Sequence, residues 1–172
     1  TIMREKIEYD LVIVGGGPSG LSAAIKAKQT DPEISVVLLE KGSEIGSHIL
    51  SGAVLDTKGI DMLIPDWKDT DIPIRTKVIE DNFFLLGPAG QVKIPNIFLP
   101  PLMNNHGNYI VSMGNVCRWL AQKAESLEVD IFPGMACNDL VFGEAGEVIG
   151  VIAGEFGLDK EGKKTDAYEP GM

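Results

Sequence analysis

Cysteine is almost missing from this 172-residue chain. Cys117 and Cys137 stand twenty positions apart with no partner at metal-ligand spacing. That excludes a disulfide framework and any clustered-thiol metal site, and the expectation is two buried thiols in a reducing compartment. Aromatic residues are also scarce, at 6%, yet the 44% apolar content suffices for the core of an ordinary folded domain and excludes disorder. Basic residues are outnumbered, 15 against 25, and the net charge of −10 repels nucleic-acid phosphates and anionic bilayers alike. No eighteen uncharged apolar residues occur together without Pro or Gly, so no spanning helix is expected. The opening "TIMREKIEYD" lacks the apolar run of a secretion signal.

One further absence is local. Between Asp81 and Glu125 there is no carboxylate in 43 residues, where the chain average would give about six. Inside that gap two apolar runs, Phe83 to Leu86 and Val92 to Leu102, flank "GPAG", a sequence suited to a β-turn. A hairpin followed by a proline-restrained extension is expected. Its ordinary explanation is a face packed on a core; the alternative is a surface that meets lipid. Gly87, Gly90 and four prolines exclude a spanning helix, so a lipid-facing element would lie in one leaflet. His106 in "NNHGNY" could donate a proton, but such a residue more often braces a turn through its ring nitrogens. Asn104, Asn105 and Asn108 read as turn formers.

What is present begins with "YDLVIVGGGPSGLSAAIKAKQ". A short β-rich run, Leu11 to Val14, leads through a glycine cluster into Leu21, Ala24, Ile25 and Lys28 at helical spacing. Pro18 suits a first helical turn, where its missing N–H costs nothing. "ISVVLLE" then reads as a strand buried on both faces, completing a βαβ unit of about thirty residues. Gly15, Gly17 and Gly20 form G-x-G-x-x-G between strand and helix. The first permits the tight turn, the second lets backbone amides approach a pyrophosphate, and the third allows close helix–strand packing. Gly16 and Ser19 contribute through backbone position, with a hydroxyl contact from Ser19. Glu40, twenty residues after Gly20, ends the next strand where a carboxylate accepts ribose hydroxyls and repels a 2′-phosphate. Lys41 either approaches the adenosine side or is simply solvated.

Farther on, residues 41–113 are proline-punctuated, with a short helix at "TKGIDMLI". "NVCRWLAQKAESL" predicts a helix capped by Asn115 with Val116, Trp119, Leu120 and Leu127 on one face. "VDIF" predicts a third parallel strand, and "NDLVFGEAGEVIGVIAG" a hairpin. The terminal "GLDKEGKKTDAYEPGM" reads as turn-rich, ending without another periodic element and giving the impression of a chain cut short.

The stretches "DLVIVGGGPSGLSAA", "LLEKGSEIGSHILSGAVLD", "IPDWK", "MNNHGNYIVSMGNVCRWLAQKAESLEV" and "YEPGM" resemble the electron-transfer flavoprotein:ubiquinone oxidoreductase family over essentially the whole chain. "SHILSGAVLD" and "MNNHGNYI" are the more specific, the glycine turn being common to many flavoproteins. The resemblance implies an α/β fold: an FAD/NAD(P)-binding Rossmann-like parallel sheet with a β-hairpin or meander and an inserted β-rich region. The FAD-binding domain would comprise residues 1–44 and 113–172, and residues 45–112 would form a quinone- and membrane-side insertion. It implies a membrane-associated flavoprotein oxidoreductase, working in electron transport, that passes electrons from reduced electron-transfer flavoprotein to ubiquinone.

By position, Gly15, Gly16, Gly17, Pro18, Ser19, Gly20, Glu40 and Lys41 would hold the ADP half of FAD, with Ser51 and Gly52 near the flavin ring. Phe83, Phe84, Leu85, Leu86, Ile97, Phe98 and Leu99 would face a membrane in monotopic fashion. Family members are much longer, so the chain matches an N-terminal part; the 4Fe-4S ligands would belong to the full-length parent, and neither Cys117 nor Cys137 matches them. No side chain is assigned as acid, base or nucleophile, and none as a metal ligand. The expected location is the inner face of a bacterial cytoplasmic membrane, or the matrix side of the mitochondrial inner membrane in a processed protein. A geranylgeranyl-reductase-like flavoprotein and a non-catalytic dinucleotide-binding module are the alternatives.

Overall fold

The computed structural model describes residues 4–172, so the first three positions of the segment read for a leader lie outside the described residues. In chain order the elements are β1 (Leu11–Val14), α1 (Pro18–Thr30), β2 (Val36–Glu40), β3 (Ser51–Leu55), α2 (Lys58–Leu63), β4 (Thr76–Lys77), β5 (Phe83–Gly87) and β6 (Gly90–Ile94). There follow β7 (Tyr109–Ser112), α3 (Met113–Glu125), β8 (Val129–Pro133), β9 (Cys137–Phe142), β10 (Val148–Ala153), β11 (Glu155–Leu158) and β12 (Lys164–Pro170). Two compact units result. Leu50–Val116 forms one, and the flanking segments, up to Ile49 and from Cys117 onward, form the other.

The flanking unit is built on a parallel sheet in the order β1-β2-β8, with Ile13 opposite Leu38 and Leu38 opposite Ile131. As the central strand, β2 is covered on both faces, which is why Val36 to Leu39 is an unbroken apolar run rather than an alternating one. Helix α1 buries Leu21, Ala24 and Ile25. The buried Lys28 ends that stripe, without an ion pair among the described residues: its Nζ donates to the carbonyls of Pro32 (2.8 Å) and Ile34 (3.0 Å), closing the helix-to-strand connection. The β9–β10 hairpin packs Ala153 with Val37 and Leu39, joined by Tyr9, Met135 and Val151.

Three expectations need correction here. Helix α3 starts at Met113, directly after β7, so Asn115 sits inside its first turn and is not the cap. The helix stops at Glu125, and Leu127 falls in a turn that Glu128, at φ 64°, bends into β8; Val116 and Leu120 are buried, whereas Trp119 is half-buried. The polar terminal segment is not featureless, because β11 and β12 pair into a bulged antiparallel hairpin. There Glu155 accepts from Tyr168 Oη (2.7 Å) and Arg4 (3.3 Å), contacts that side-chain polarity conceals when only apolar periodicity is read.

In the inserted unit β3, β7 and β4 form an antiparallel sheet in the order β3-β7-β4. Val111 of β7 is buried, along with Ile60, Leu63, Ile72, Ile74 and Val78. Trp67 is buried as well; its ring meets Tyr109 edge-on at 5.6 Å, and its indole N–H donates to Asp61 at 2.6 Å. A separate two-stranded ribbon, β5–β6, turns through Pro88 and Ala89 with Gly87 opposite Gly90. As expected of a hairpin with a proline-restrained extension, the ladder ends at Ile94 before Pro95, which cannot extend it, and the chain goes on in two 3-10 turns, Asn96–Phe98 and Pro101–Met103.

The indole N–H of Trp67, and then the Thr57 hydroxyl, hold the Asp61 carboxyl below the ordinary carboxylate range. A depressed carboxylate stabilises the fold above its unfolded pKa, about 3.9, and that contribution fades as pH falls through the lower folded value. In a Trp119→Phe background, Trp67 emission should therefore hold from pH 7 down to about 4 and shift to the red only below it. Asp61→Ala should shift the emission at every pH; a wild-type transition well above pH 4 would refute the assignment.

Candidate functional site: a glycine turn and the cleft beside it

Strand β1 ends at Val14, and the chain turns at Gly15 with φ at 111°, a conformation that only glycine adopts without strain. The Gly15 amide donates to Leu39 O (2.7 Å), fastening the turn to β2. Gly16 is buried: a Cβ there would strike Ile45 Cδ1 and lie 3.1 Å from Glu40 Oε2. Gly20 has no room either, since a Cβ would run into the Gly15 carbonyl and come within 3.2 Å of Ile13. Gly17 differs, because a Cβ on it would point into open space. Among the described residues no protein acceptor engages the amides of Gly17, Ser19 or Gly20, and α1 has no side-chain cap. These are the orphan donors of a helix N-terminus, which carries roughly half a positive charge.

Glu40 is wired into this turn. Its Oε2 accepts from Gly16 N–H and its Oε1 from Gly42 N–H, both at 2.7 Å. Two turn amides, those of Gly15 and Gly16, are thus occupied by the protein itself, and the set free for a ligand is narrower than all the main-chain amides of the first turn. Beyond Glu40 a cleft of about 190 Å³ opens, lined by Val14, Gly15, Leu39, Glu40, Lys41, Met135, Ala136 and Cys137. Pockets that enclose a drug-sized ligand run from about 300 to 1,000 Å³, so this one is too small to enclose a whole molecule of that size. It lies at the carboxyl ends of β1 and β2, where open α/β sheets take ligands.

Met135, Ala136 and Cys137 were not anticipated from sequence. They line the cleft because β8 stays in register to Pro133 opposite Glu40, after which Gly134 N donates to Gly42 O (2.7 Å) and Met135 N to Glu40 O (2.9 Å). The signal available was the third parallel strand itself, whose exit must pass the end of β2. Cys137 also corrects the expectation of two buried thiols: it is half-exposed at the cleft, whereas Cys117 is fully buried and desolvation pushes its thiol up to about 11.

The other sequence candidates lie in the inserted unit. Ser51 and Gly52 are exposed on β3. The His106 amide donates to Asn104 Oδ1 (3.0 Å) and the Asn105 amide to Asp81 (2.8 Å), so the turn is braced by main-chain donors and not by the imidazole ring. Of the apolar set, Phe84, Leu85, Leu86, Ile97 and Phe98 are exposed, whereas Phe83 and Leu99 are half-buried. No helix among the described residues is long and apolar enough to cross a membrane, and no group of three His, Cys, Asp or Glu there is arranged to hold a metal.

Residues 13–64 match the model of an NAD(P)-binding Rossmann-like domain. The chain is 50% identical, over 98% of its length, to an electron transfer flavoprotein-ubiquinone oxidoreductase of Pseudomonas aeruginosa, of which it spans 32%. It is 43% identical over 96% of its length to the mitochondrial protein of that name from Bos taurus, spanning 27% of it. The chain thus covers about a third of the length of the curated relatives it matches. Among solved structures, a geranylgeranyl bacteriochlorophyll reductase-like protein from Thermoplasma acidophilum superposes with a TM-score of 0.62 at 24% identity, over 84% of this chain and 34% of that one. A myxobacterial chondrochloren FAD-dependent halogenase gives 0.58 at 22%, over 90% and 34%. At these identities the two structures establish the shared α/β, Rossmann-like fold.

The glycines separate by role, and substitution should expose the difference. Gly20→Ala should lower the midpoint of thermal unfolding by several degrees, because its Cβ meets main chain that cannot yield. Gly17→Ala should leave the midpoint nearly unchanged and weaken ADP binding, read by calorimetry. Equal thermal effects from both variants would contradict the geometry.

Proposed function

We propose that the chain is the ADP-binding and membrane-contacting portion of a flavoprotein that transfers electrons from reduced electron-transfer flavoprotein to ubiquinone. The observation that carries this reading is the amide set of Gly17, Ser19 and Gly20, without an internal acceptor among the described residues, on the same turn whose Gly15 lines a cleft with Glu40, in a chain 50% identical to an oxidoreductase of that name. The residues fit FAD on their own terms: space at Gly17 where a Cβ would otherwise stand, unsatisfied helix-terminal donors, and a carboxylate at the ribose position.

Gly17, Ser19 and Gly20 receive the diphosphate, Gly15, Gly16 and Pro18 shape the turn, and Glu40 and Lys41 flank the adenosine ribose. Ser51 and Gly52 are assigned to the flavin-ring side. When bound, FAD supplies the two-electron chemistry between donor and quinone; this chain's residues bind and orient it. The thiols of this chain do not fit an iron–sulfur centre, which is assigned to the longer parent.

The inserted unit supplies the bilayer contact. Cross-strand pairing puts Phe83, Leu85, Val92 and Ile94 on one face of the β5–β6 ribbon, and Phe84, Leu86, Gln91 and Lys93 on the other. Ile97, Phe98 and Leu102 are exposed in the turns that follow, Leu102 at 97%. Insertion of about five such side chains at roughly 1.5 to 3 kcal/mol each gives a gross gain on the order of 10 kcal/mol before ordering and desolvation costs, sufficient to hold an acidic protein at a bilayer. The location that follows is the inner face of a bacterial cytoplasmic membrane or the matrix side of the mitochondrial inner membrane.

Two measurements test this reading. Cys137 lines the cleft, so saturating ADP or FAD should slow its alkylation by N-ethylmaleimide several-fold, with Cys117 unlabelled until the chain unfolds; a Cys137 rate indifferent to nucleotide would remove the cofactor assignment. In flotation with phosphatidylcholine vesicles, Phe84→Ser, Leu86→Ser and Phe98→Ser combined should abolish most of the association, and unchanged flotation would refute the membrane contact.

A further inference from the structure

The Glu40 carboxylate is positioned for more than accepting ribose hydroxyls. Both of its oxygens already receive main-chain N–H groups, one from the glycine turn and one from the loop after β2. Gly16 and Gly42 can approach it because neither tolerates a Cβ: at Gly42 the added carbon would lie 2.7 Å from Ser47 Oγ and 3.1 Å from Glu40 Oε1. The loop is fixed from two further directions, by Gly134 N on Gly42 O (2.7 Å) and by Arg118 on Ile45 O (3.4 Å). Ile45 in turn lies where a Gly16 Cβ would be, so the loop also packs on the turn. A single acidic side chain therefore ties the glycine turn to the loop after β2, and that loop is itself held by segments remote in sequence.

We propose that Glu40 is a positioning residue that presets the glycine turn before any nucleotide arrives, and that it couples nucleotide occupancy to the loop after β2. A charged acceptor makes the stronger kind of hydrogen bond, and each carboxylate oxygen keeps a second acceptor site. Glu40 thus holds the Gly16 amide, leaves those of Gly17, Ser19 and Gly20 without an internal acceptor among the described residues, and still has capacity for ribose hydroxyls. The ordering cost of the turn is met in the folded chain and not at the moment of binding, which is how preorganisation raises affinity. This inference rests on the nucleotide reading of the cleft only for its second half.

The test is amide exchange by NMR on the whole 172-residue chain without nucleotide, followed by titration with ADP and with 2′,3′-dideoxy-ADP, which lacks the ribose hydroxyls. Glu40→Ala should speed exchange at both Gly16 and Gly42 by at least about tenfold, since a bond to a charged acceptor is lost at each. The Leu38 amide in the sheet centre should be unchanged, and binding of both nucleotides should weaken. Should Glu40→Ala fail to fold, Glu40→Gln keeps one acceptor oxygen and should release one of the two amides only. Unaltered protection at Gly16 and Gly42, with ADP weakened and the dideoxy compound unaffected, would overturn the inference and leave the nucleotide site standing as a ribose contact. Accelerated exchange in a chain that binds neither nucleotide would uphold the brace and sink the nucleotide reading.

Discussion

The closest constraint in the molecule is the approach of helix α1 to the turn that feeds it. Gly20 lies so near the Gly15 carbonyl that any side chain would push the two apart. Everything at the carboxyl end of the sheet follows from that proximity. Gly15 takes a conformation closed to other residues, its amide reaches Leu39, Gly16 is drawn under Ile45, and the first helical amides are left without internal acceptors. The helix axis then delivers its positive end to one point beside β1 and β2. A side chain at 20 would push the helix off the turn, one at 16 would strike Ile45, and one at 15 would strain a backbone that only glycine adopts freely.

Much of this was legible in the residues. G-x-G-x-x-G has few structural solutions when a β-branched run precedes it and an apolar 3.6-residue stripe follows, so β1, α1 and β2 and the roles of Gly15 and Gly20 could be read directly. The parallel third strand was legible for the same reason. What could not be read was contact between segments far apart in sequence. Nothing local to "FPGMAC" marks it as the wall of a cleft; it becomes one through the register of β8 against β2. The double occupation of Glu40 is hidden likewise, since a carboxylate after a strand looks the same whether it faces a ligand or two amides. At α3 the expectation gave way because β7 runs straight into the helix, which starts at Met113 and so takes Asn115 into its first turn. The β11–β12 hairpin escaped notice because its pairs are largely polar, and period-two hydrophobicity is silent where a strand buries little.

The curated relatives are about three times as long as this chain or longer, and within the chain itself two units divide the work. The flanking unit carries the glycine turn and the cleft; the inserted unit buries Ile60, Leu63, Trp67 and Val111 in a core of its own and leaves Leu86, Phe98 and Leu102 outside it.

The β5–β6 ribbon carries a consequence of its own. An ordinary sheet hides one side and wets the other, like a tile, whereas this ribbon is oily in front and partly oily behind, like a wedge. In the bilayer contact proposed above, a surrounding medium would meet both sides at once, whereas a flat partner would cover one. In that contact Lys93, paired with Phe84 across the ribbon, would set the depth of entry by keeping its ammonium in water, a float on the insertion.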